Sequence, residues 1–508
     1  MKLSRYRLLA VLALLLPLLF IGNQVWRSSA LAGDNNPPPA DLELPPVALD
    51  AQEEAQVDSL VLPMPQARIG DFDDMQKHRT VRVLVPYSKT FFMVDRGKQQ
   101  GISYELGKAL ESWLEKTRPN ANKSLKWRIA FIPVARNQLL PKLLAGEGDV
   151  VAGGLTITQG RLNTVDFASP FASGIREAFV TGPASNTLSS LEELAGQEVM
   201  VRASSSYFEH LLVLNKRFKE QGLAPIKVLA ADENLEAEDL LEMVNAGLIN
   251  ATVVDRYLAE RWLPLYTDLQ IQDGFYLHEG AEFAWAIRKG SPLLKAELNA
   301  FFDKHKIGTA FGNSLRTKYV THSKRILNAT SQQEMLKFQE LVGLFEKHAG
   351  AYQFDALMLM AQGFQESQLD QRARSPRGAV GVMQLLPSTA ADPSVNIQDI
   401  DSSADKNIEA GSKYMRLLAD KYLNDPELSP MNKTLMAFAA YNAGPGNLRK
   451  FRRLAEKSGL DHNVWFGNVE HAAARVVGRE TVDYVGNIYK YYVAYKLVAE
   501  RQQQKPQR

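Results

Sequence analysis

The stretch Phe364–Ala390, FQESQLDQRARSPRGAVGVMQLLPSTA, decides the character of the C-terminal part of the chain. It starts at the end of an apolar, helix-spaced run, ALMLMAQGFQ, which carries Glu366 out of a core helix. A loop rich in serine, proline and glycine follows, and a second helical segment is expected to begin near Met383. A glutamate at the edge of an apolar helix is partly desolvated, which favours its protonated form. That is the state a general acid needs near neutral pH. Asp370 is the local candidate for an acidic partner, one turn beyond Glu366 if the helix continued, but the polar run SQLDQRARS places it in a solvated loop. Helix-spaced segments surround this stretch: EMLKFQELVGLFEKH before it, then NIEAGSKYMRLLADKYL, NKTLMAFAAYNAG and TVDYVGNIYKYYVAYKLVAER after it. The region from about residue 330 onward reads as all-α. Its run of Tyr489, Tyr491, Tyr492 and Tyr495 is expected in the core or at a domain interface.

Further upstream the texture changes. TVRVLVPY, LKWRIAFIPV and VVAGGLTIT read as strands, with the helix-spaced ISYELGKALESWLEKT and the shorter QLLPKLLAGEGD between them. Strands return in QEVMVRAS, IKVLAA, NATVVD and FAWAIRKG, and their signals stop after Ser291. Such alternation implies mostly parallel sheets covered on both faces, and the two groups imply two lobes with a cleft between them.

The composition bounds the rest. The 508 residues are 45% hydrophobic and 23% charged with a net charge of +2, which argues against a dedicated nucleic-acid binder. The absence of cysteine excludes disulfides, thiol catalysis and a lipidated N-terminal cysteine, so the chain is not a lipoprotein. The histidines are scattered without an HExxH pair, and neither a metal nor a cofactor is expected. Lys2, Arg5 and Arg7 precede an apolar run from Leu8 to Ile21, and ALA at 30–32 offers a cleavage site. This is the layout of a secretory signal; a spacer holding Trp26 and Arg27 leaves an uncleaved inner-membrane anchor as the alternative. Residues 33–70 read as a linker, with prolines at 37–39, 45–46, 63 and 65 and seven acidic residues before Arg68. Proline and one sign of charge predict an extended, solvated tether.

LTITQGRLNTVDFASPF (155–171), GLINATVVD (247–255), GISYELGKAL (101–110) and FAWAIRKGSPLL (283–294) together resemble the amino-acid-binding type of bacterial periplasmic solute receptor. The resemblance implies that Arg161 binds a ligand carboxylate, assisted by the hydroxyl of Thr156, and that Asp255 binds its amine. It places Ser205 and Ser206 as donors from the second lobe. The chemistry stands without the family, since a guanidinium forks onto a carboxylate and a carboxylate pairs with an ammonium. Gly160 is a departure that leaves the arginine in place.

The motifs ES (366–367), SPRGAVGVMQLLPSTA (375–390), AYNAG (440–444) and ETVDYVGNI (480–488), in that order, resemble the lytic transglycosylases of the lysozyme superfamily. The resemblance implies that Glu366 is the single catalytic acid and base. It implies that Ser375 and Gln384 line a sugar groove, that Tyr441 and Asn442 contact the substrate, and that Glu480 and Tyr484 sit beside the acid. Leu386 departs from the methionine of several relatives. A receptor-like domain fused to such a catalytic domain resembles the membrane-bound lytic transglycosylase F group. The implied fold is multidomain, an α/β two-lobed periplasmic-binding-protein-like domain followed by an all-α lysozyme-like domain. Its expected boundaries are signal or anchor 1–32, linker 33–70, receptor-like domain 71–325, catalytic domain 326–500 and tail 501–508.

What the resemblance implies about function is non-hydrolytic cleavage of the MurNAc–GlcNAc bond of peptidoglycan glycan strands, leaving 1,6-anhydro ends. The second domain would bind a muropeptide or amino-acid-like effector. Alternatives are a hydrolytic muramidase, or a solute receptor with an inactive helical domain. Export implies the periplasm and membrane association, with the outer membrane favoured; no nucleic-acid partner is expected.

Overall fold

The structure, a computed structural model, describes residues 44–61, 66–95, 98–120, 125–182, 188–264, 266, 268–318 and 332–503; the expected signal segment lies outside them. No helix among the described residues is long and apolar enough to cross a membrane.

The first half is a two-lobed α/β domain. In one lobe β1 (Thr80–Pro86) is preceded by the Phe72–His78 helix and followed by a small hairpin, β2 (Met93–Asp95) and β3 (Lys98–Gln100). β1 pairs in parallel with β4 (Arg128–Val134) and β5 (Val150–Thr156). Every residue of β1 after Thr80 is buried, as a strand covered on both faces requires. In the other lobe β8 (Glu198–Arg202) pairs in parallel with β9 (Lys227–Ala231) and β10 (Ala251–Asp255). The two groups do not form separate sheets. The long strands β7 (Ala172–Thr181) and β12 (His278–Arg288) cross between them and pair antiparallel. The result is one ten-stranded sheet ordered β4-β1-β5-β12-β7-β10-β8-β9, with the short β6 (Val165–Phe167) on β12 and β11 (Gln270–Ile271) on β7. The expectation of mostly parallel pairing therefore holds within each lobe and fails at the crossing strands, where the chain passes over and back.

The second half is helical. Its central element is the Ala356–Ser367 helix, capped by Asp355, whose carboxylate accepts from the backbone N–H groups of Leu357 and Met358 at 2.8 and 3.1 Å. Residues Met358–Phe364 are all buried. The helix stops because Gln368 and Leu369 take left-handed conformations, with φ of 57° and 59°. Asp370 therefore lies off the helix, on a turn with Arg372. The Gln332–Tyr352 and Arg479–Gln503 helices pack around this element, the latter running three residues into the expected tail. Gly363 permits the first of these contacts, since a Cβ there would lie 2.9 Å from Phe345. Phe364 meets Tyr491 at 4.7 Å and Phe338 meets Tyr495 at 5.0 Å, so these tyrosines build core. Tyr489 instead reaches the α/β domain, donating to Asp232 at 2.7 Å. Beside it Lys490 is buried between Asp239 and Glu242 of the Ala237–Asn245 helix, 2.9 Å from each. The helix expected near Met383 begins later, at Pro387, because residues 381–384 form turns.

The linker reading of residues 33–70 needs correction over its described part. Residues 51–60 are a helix with a complete capping box between Asp50 and Glu53. This acidic strap lies along the basic Pro445–Lys457 helix. Glu53 pairs with Arg449 at 3.1 Å, Glu54 with Arg453 at 2.6 Å, and Asp58 with Lys457. Lys421 and Tyr422 donate to the carbonyls of Leu44 and Pro45, at 2.9 and 2.6 Å, and Val57 is buried. The acidic charge that suggested a solvated tether is neutralised by arginines and lysines nearly 400 residues away, as the 396-residue separation of Glu53 and Arg449 shows.

Candidate active site and ligand cleft

Glu366 sits in the last turn of the Ala356–Ser367 helix, half-buried. Tyr484, from the Arg479–Gln503 helix, donates to its Oε1 at 2.5 Å. Burial pushes the carboxyl up from its ordinary 4.5 to about 7, against the lowering effect of that hydrogen bond. Near neutrality the group therefore exchanges readily between acid and base. Tyr441 lies within its electrostatic reach; burial first, then the charge of Glu366, raises the phenol well above its usual range. The hydroxyl of Tyr441 donates to the Met383 carbonyl at 2.8 Å, and its ring leans on Tyr414 at 5.4 Å. The carboxyl of Asp370, by contrast, is held low by the Arg372 backbone N–H and side chain.

The loop after Asp370 is tied down by its own polar groups. Ser375 Oγ accepts from the Ala379 N–H at 3.0 Å, closing a turn in which Gly378 takes φ of 86°. Gln384 also adopts a left-handed φ, of 47°, and its Nε2 donates to the carbonyls of Ala373 and Gly381 at 3.2 and 2.9 Å. The expected groove-lining glutamine thus spends its donors on the loop backbone. Ser367 Oγ donates to the Val382 carbonyl at 2.8 Å, fastening the loop to the Glu366 helix.

Asn407 was missed in the sequence. It is fully buried, accepts from the Met383 N–H at 2.7 Å, and donates to the Val380 and Ile400 carbonyls at 2.9 and 3.1 Å. Gly381 is required opposite it, since a Cβ there would fall 2.3 Å from the Asn407 amide. A polar residue within an otherwise apolar helical face was the available signal. Asn442 is exposed, with its Oδ1 accepting from Thr481 Oγ1 at 2.8 Å. Glu480 is exposed in the first turn of the last helix, where a carboxylate complements the helix dipole; Tyr484, one turn on, is the member of that motif at the acid.

In the α/β domain the expected ligand residues gather in the cleft, but in a closed, self-paired arrangement. Arg161 is buried and donates to the Thr156 carbonyl at 2.7 Å and, across the cleft, to the Ser204 carbonyl at 3.0 Å. Ser206 Oγ donates to Glu177 at 2.8 Å and lies in hydrogen-bond contact with the Thr156 hydroxyl at 3.2 Å. Ser205 is the N-cap of the Ser206–Glu220 helix, accepting from the Phe208 N–H at 3.3 Å, so its hydroxyl serves the helix rather than the cleft. Asp255 ends β10 with Oδ1 buried and without a hydrogen-bond partner. Burial, then the charge of Glu177, pushes its carboxyl up to about 8. Arg136 and Glu236 close the two lobes with an ion pair of 2.6 Å. Glu177 is a second residue missed in the sequence. It is completely buried, 2.6 Å from His210, in a stretch that does not read as a strand in the sequence.

Two families match the chain. Residues 81–311 match the family described as bacterial extracellular solute-binding proteins, family 3, and residues 343–464 match the transglycosylase SLT domain. Glu366, Ser375, Gln384, Tyr441 and Asn442 fall inside the second match, Arg161 and Asp255 inside the first. The chain is similar to proteins named membrane-bound lytic murein transglycosylase F. That of Desulfosudis oleivorans is 28% identical over 82% of this chain and 90% of the relative. Those of Saccharophagus degradans and Idiomarina loihiensis are 29% and 26% identical, over 70% and 86% of this chain and 72% and 94% of the relatives. Among solved structures, an ancestral arginine-binding protein bound to arginine is 24% identical, covering 47% of this chain and 97% of its own with a TM-score of 0.39. With both families present in this order, and relatives matching over most of its length, the chain belongs to the membrane-bound lytic murein transglycosylase F group, which joins a family 3 solute-binding domain to a transglycosylase SLT domain.

Proposed function

We propose that this protein cleaves the MurNAc–GlcNAc bond of peptidoglycan without hydrolysis, with Glu366 as the single acid and base. The observation that carries the proposal is the environment of Glu366, a carboxyl pushed up to about 7 by burial and bonded to one tyrosine. Its protonated form delivers a proton to the leaving glycosidic oxygen. Asp370, turned toward Arg372, is not poised as a second carboxylate. Stabilisation of the oxocarbenium-like state then falls to the N-acetyl group of the substrate, positioned by Tyr441 and Asn442. The resulting carboxylate takes the proton of the sugar's C6 hydroxyl, which closes the 1,6-anhydro ring. An attacker within the same molecule has a large effective concentration over a loosely held water. Ser375 and Gln384 shape the groove wall, and Tyr484 holds Glu366. Mass spectrometry of fragments released from purified sacculi tests this. Anhydro ends are expected from the wild type and none from Glu366→Gln; products one water heavier would instead establish a hydrolase.

The α/β domain is proposed to bind a ligand carrying a carboxylate and an amine, such as an amino-acid-like or stem-peptide fragment of the wall. Arg161 and Thr156 would face the carboxylate, Asp255 the amine, and Ser206 the second-lobe side, once the cleft opens and Arg161 exchanges the Ser204 carbonyl for the ligand. Coupling to the enzyme is supported by Lys490 and Tyr489, which lie on the same helix as Tyr484 and contact the second lobe. The division near residues 325 and 326, export to the periplasm and attachment at the outer membrane belong to the same proposal.

A further inference from the structure

We infer that Gln362 is a positioning residue for Glu366, its amide setting the direction of the Tyr484 hydroxyl and thereby the oxygen of Glu366 that carries the transferable proton. The inference rests on the reading of Glu366 as the general acid.

Gln362 is fully buried within the apolar core helix, four residues before Glu366 and therefore one turn away on the same face. A buried amide is costly to a core unless it is bonded, so its presence there calls for a role. Its Nε2 donates to the Tyr484 hydroxyl oxygen at 3.3 Å, and Tyr484 in turn donates to Glu366 Oε1 at 2.5 Å. A tyrosine hydroxyl has a single proton. While Gln362 donates into its oxygen, that proton is committed to Glu366. A neutral carboxyl that accepts on Oε1 keeps its own proton on Oε2, the oxygen left free for the leaving group.

The opposite polarity is also chemically complete. Glu366 would donate to Tyr484, and Tyr484 would donate to Gln362 Oε1, an atom that is buried here without a hydrogen-bond partner. The acid proton would then point into the core, away from substrate. A half-turn of one amide separates the two arrangements, and the observed one is productive. The other titratable groups facing the site are Tyr441, from the Pro430–Ala443 helix, and Tyr414 behind it. Both phenols are raised above their usual range and stay neutral around pH 7. Gln362 has a second effect. By donating to Tyr484 it makes that hydroxyl a stronger donor, which steadies the carboxylate needed for the ring-closing step.

The test is Gln362→Met, an unbranched apolar replacement of similar volume. Turnover of sacculi by Q362M is expected to fall about three- to tenfold at neutral pH with little change in KM. The alkaline limb of its pH profile should move up by about half a pH unit. Infrared titration of the Glu366 carboxyl, referenced to Glu366→Gln, should show the same upward midpoint without requiring turnover. In a Tyr484→Phe background Q362M should add no further movement, because the relay is already cut. A lower melting temperature with an unmoved midpoint and profile would overturn the inference, leaving Gln362 a packing residue, as would a full additional shift beside Tyr484→Phe. If Q362M does not fold, Gln362→Leu serves: it also removes the donor to Tyr484, so the same upward midpoint is expected, and an unmoved one overturns the inference. Full turnover by Glu366→Gln would overturn the functional reading itself and appears in the same assay, so the two failures are separable.

Discussion

Arg161 lies between the two lobes and Glu366 in the last turn of a core helix, and the fold treats them in opposite ways. The guanidinium of Arg161 is held by two main-chain carbonyls, one of them from the facing lobe. Glu366 is half-buried and given one donor in return, which leaves it close to the midpoint of its titration at neutral pH. The first group must give up existing bonds before it can hold a ligand. The second needs no rearrangement of its own to exchange a proton. On the proposed roles, the cleft would store its affinity behind a conformational change, whereas the acid would be ready in the resting state.

The largest effect that would break this contrast is on catalysis. Glu366→Gln is expected to lower turnover by about a thousandfold, within the usual span of general acid catalysis, while glycan-strand binding persists in a sacculus pull-down. Retention of more than a tenth of the activity would show that the acid lies elsewhere.

Stability against pH comes next, and its sign follows from the raised carboxyl. Between pH 4.5 and about 7 the folded protein holds a proton on Glu366 that the unfolded chain has released, so stability falls as pH rises through that window. Removing the charge should therefore stabilise Glu366→Gln over wild type at pH 8 by on the order of 2–3 kcal/mol, seen as a higher melting temperature, with no advantage at pH 4. A gain of equal size at both values would deny the raised carboxyl.

For the cleft, Arg161→Ala should weaken binding of an amino-acid-like ligand roughly ten- to a hundredfold by calorimetry, the range for hydrogen bonds to a charged group. It should also widen the lobes in small-angle scattering, since it deletes one cross-cleft bond. Unchanged scattering would mean that the remaining cross-cleft bonds, Arg136–Glu236 and Ser206–Thr156 among them, keep the lobes together. Asp255 sharpens the same point. With its carboxyl pushed up to about 8 it is mostly neutral at pH 7, so capture of an ammonium group should expel a proton. Calorimetry in buffers of different ionisation enthalpy would detect that release. The smallest effect belongs to the strap, where Glu54→Arg should speed proteolysis within residues 44–61 and the charge-swapped partner Arg453→Glu should restore protection.

The legibility of these regions in the sequence follows what covers each element. β1, β5 and β10 read plainly because they are buried on both faces and show as apolar runs. β7 did not, because its first half, ASGIR, is exposed or half-buried while its second half, opening on the buried Glu177, is core. The Pro445–Lys457 helix was passed over for a related reason. Its basic face looks like a solvated one, and its actual cover is an acidic segment near the other end of the chain. At the acid, Glu366 and Tyr484 stood in recognisable motifs, whereas Asn407 and Gln362 are single polar residues whose importance lies in what they touch. Local patterns do not reveal such contacts, and for the same reason Arg161 could be placed in the cleft without any sign that Ser204 would occupy it.

The docking of the strap also sets an order of events during synthesis. Its helix, residues 51–60, leaves the ribosome early, yet the arginine that receives Glu53 follows 396 residues later. At ordinary elongation speeds that is a wait of roughly 20–80 s. Throughout it the strap has no partner, and ten residues with an acidic surface make a poor helix in isolation. Closing so long a loop is among the last steps of folding. A seated strap therefore certifies that the far end of the chain has arrived and folded, and a truncated product would carry its N-terminal segment loose and open to proteases.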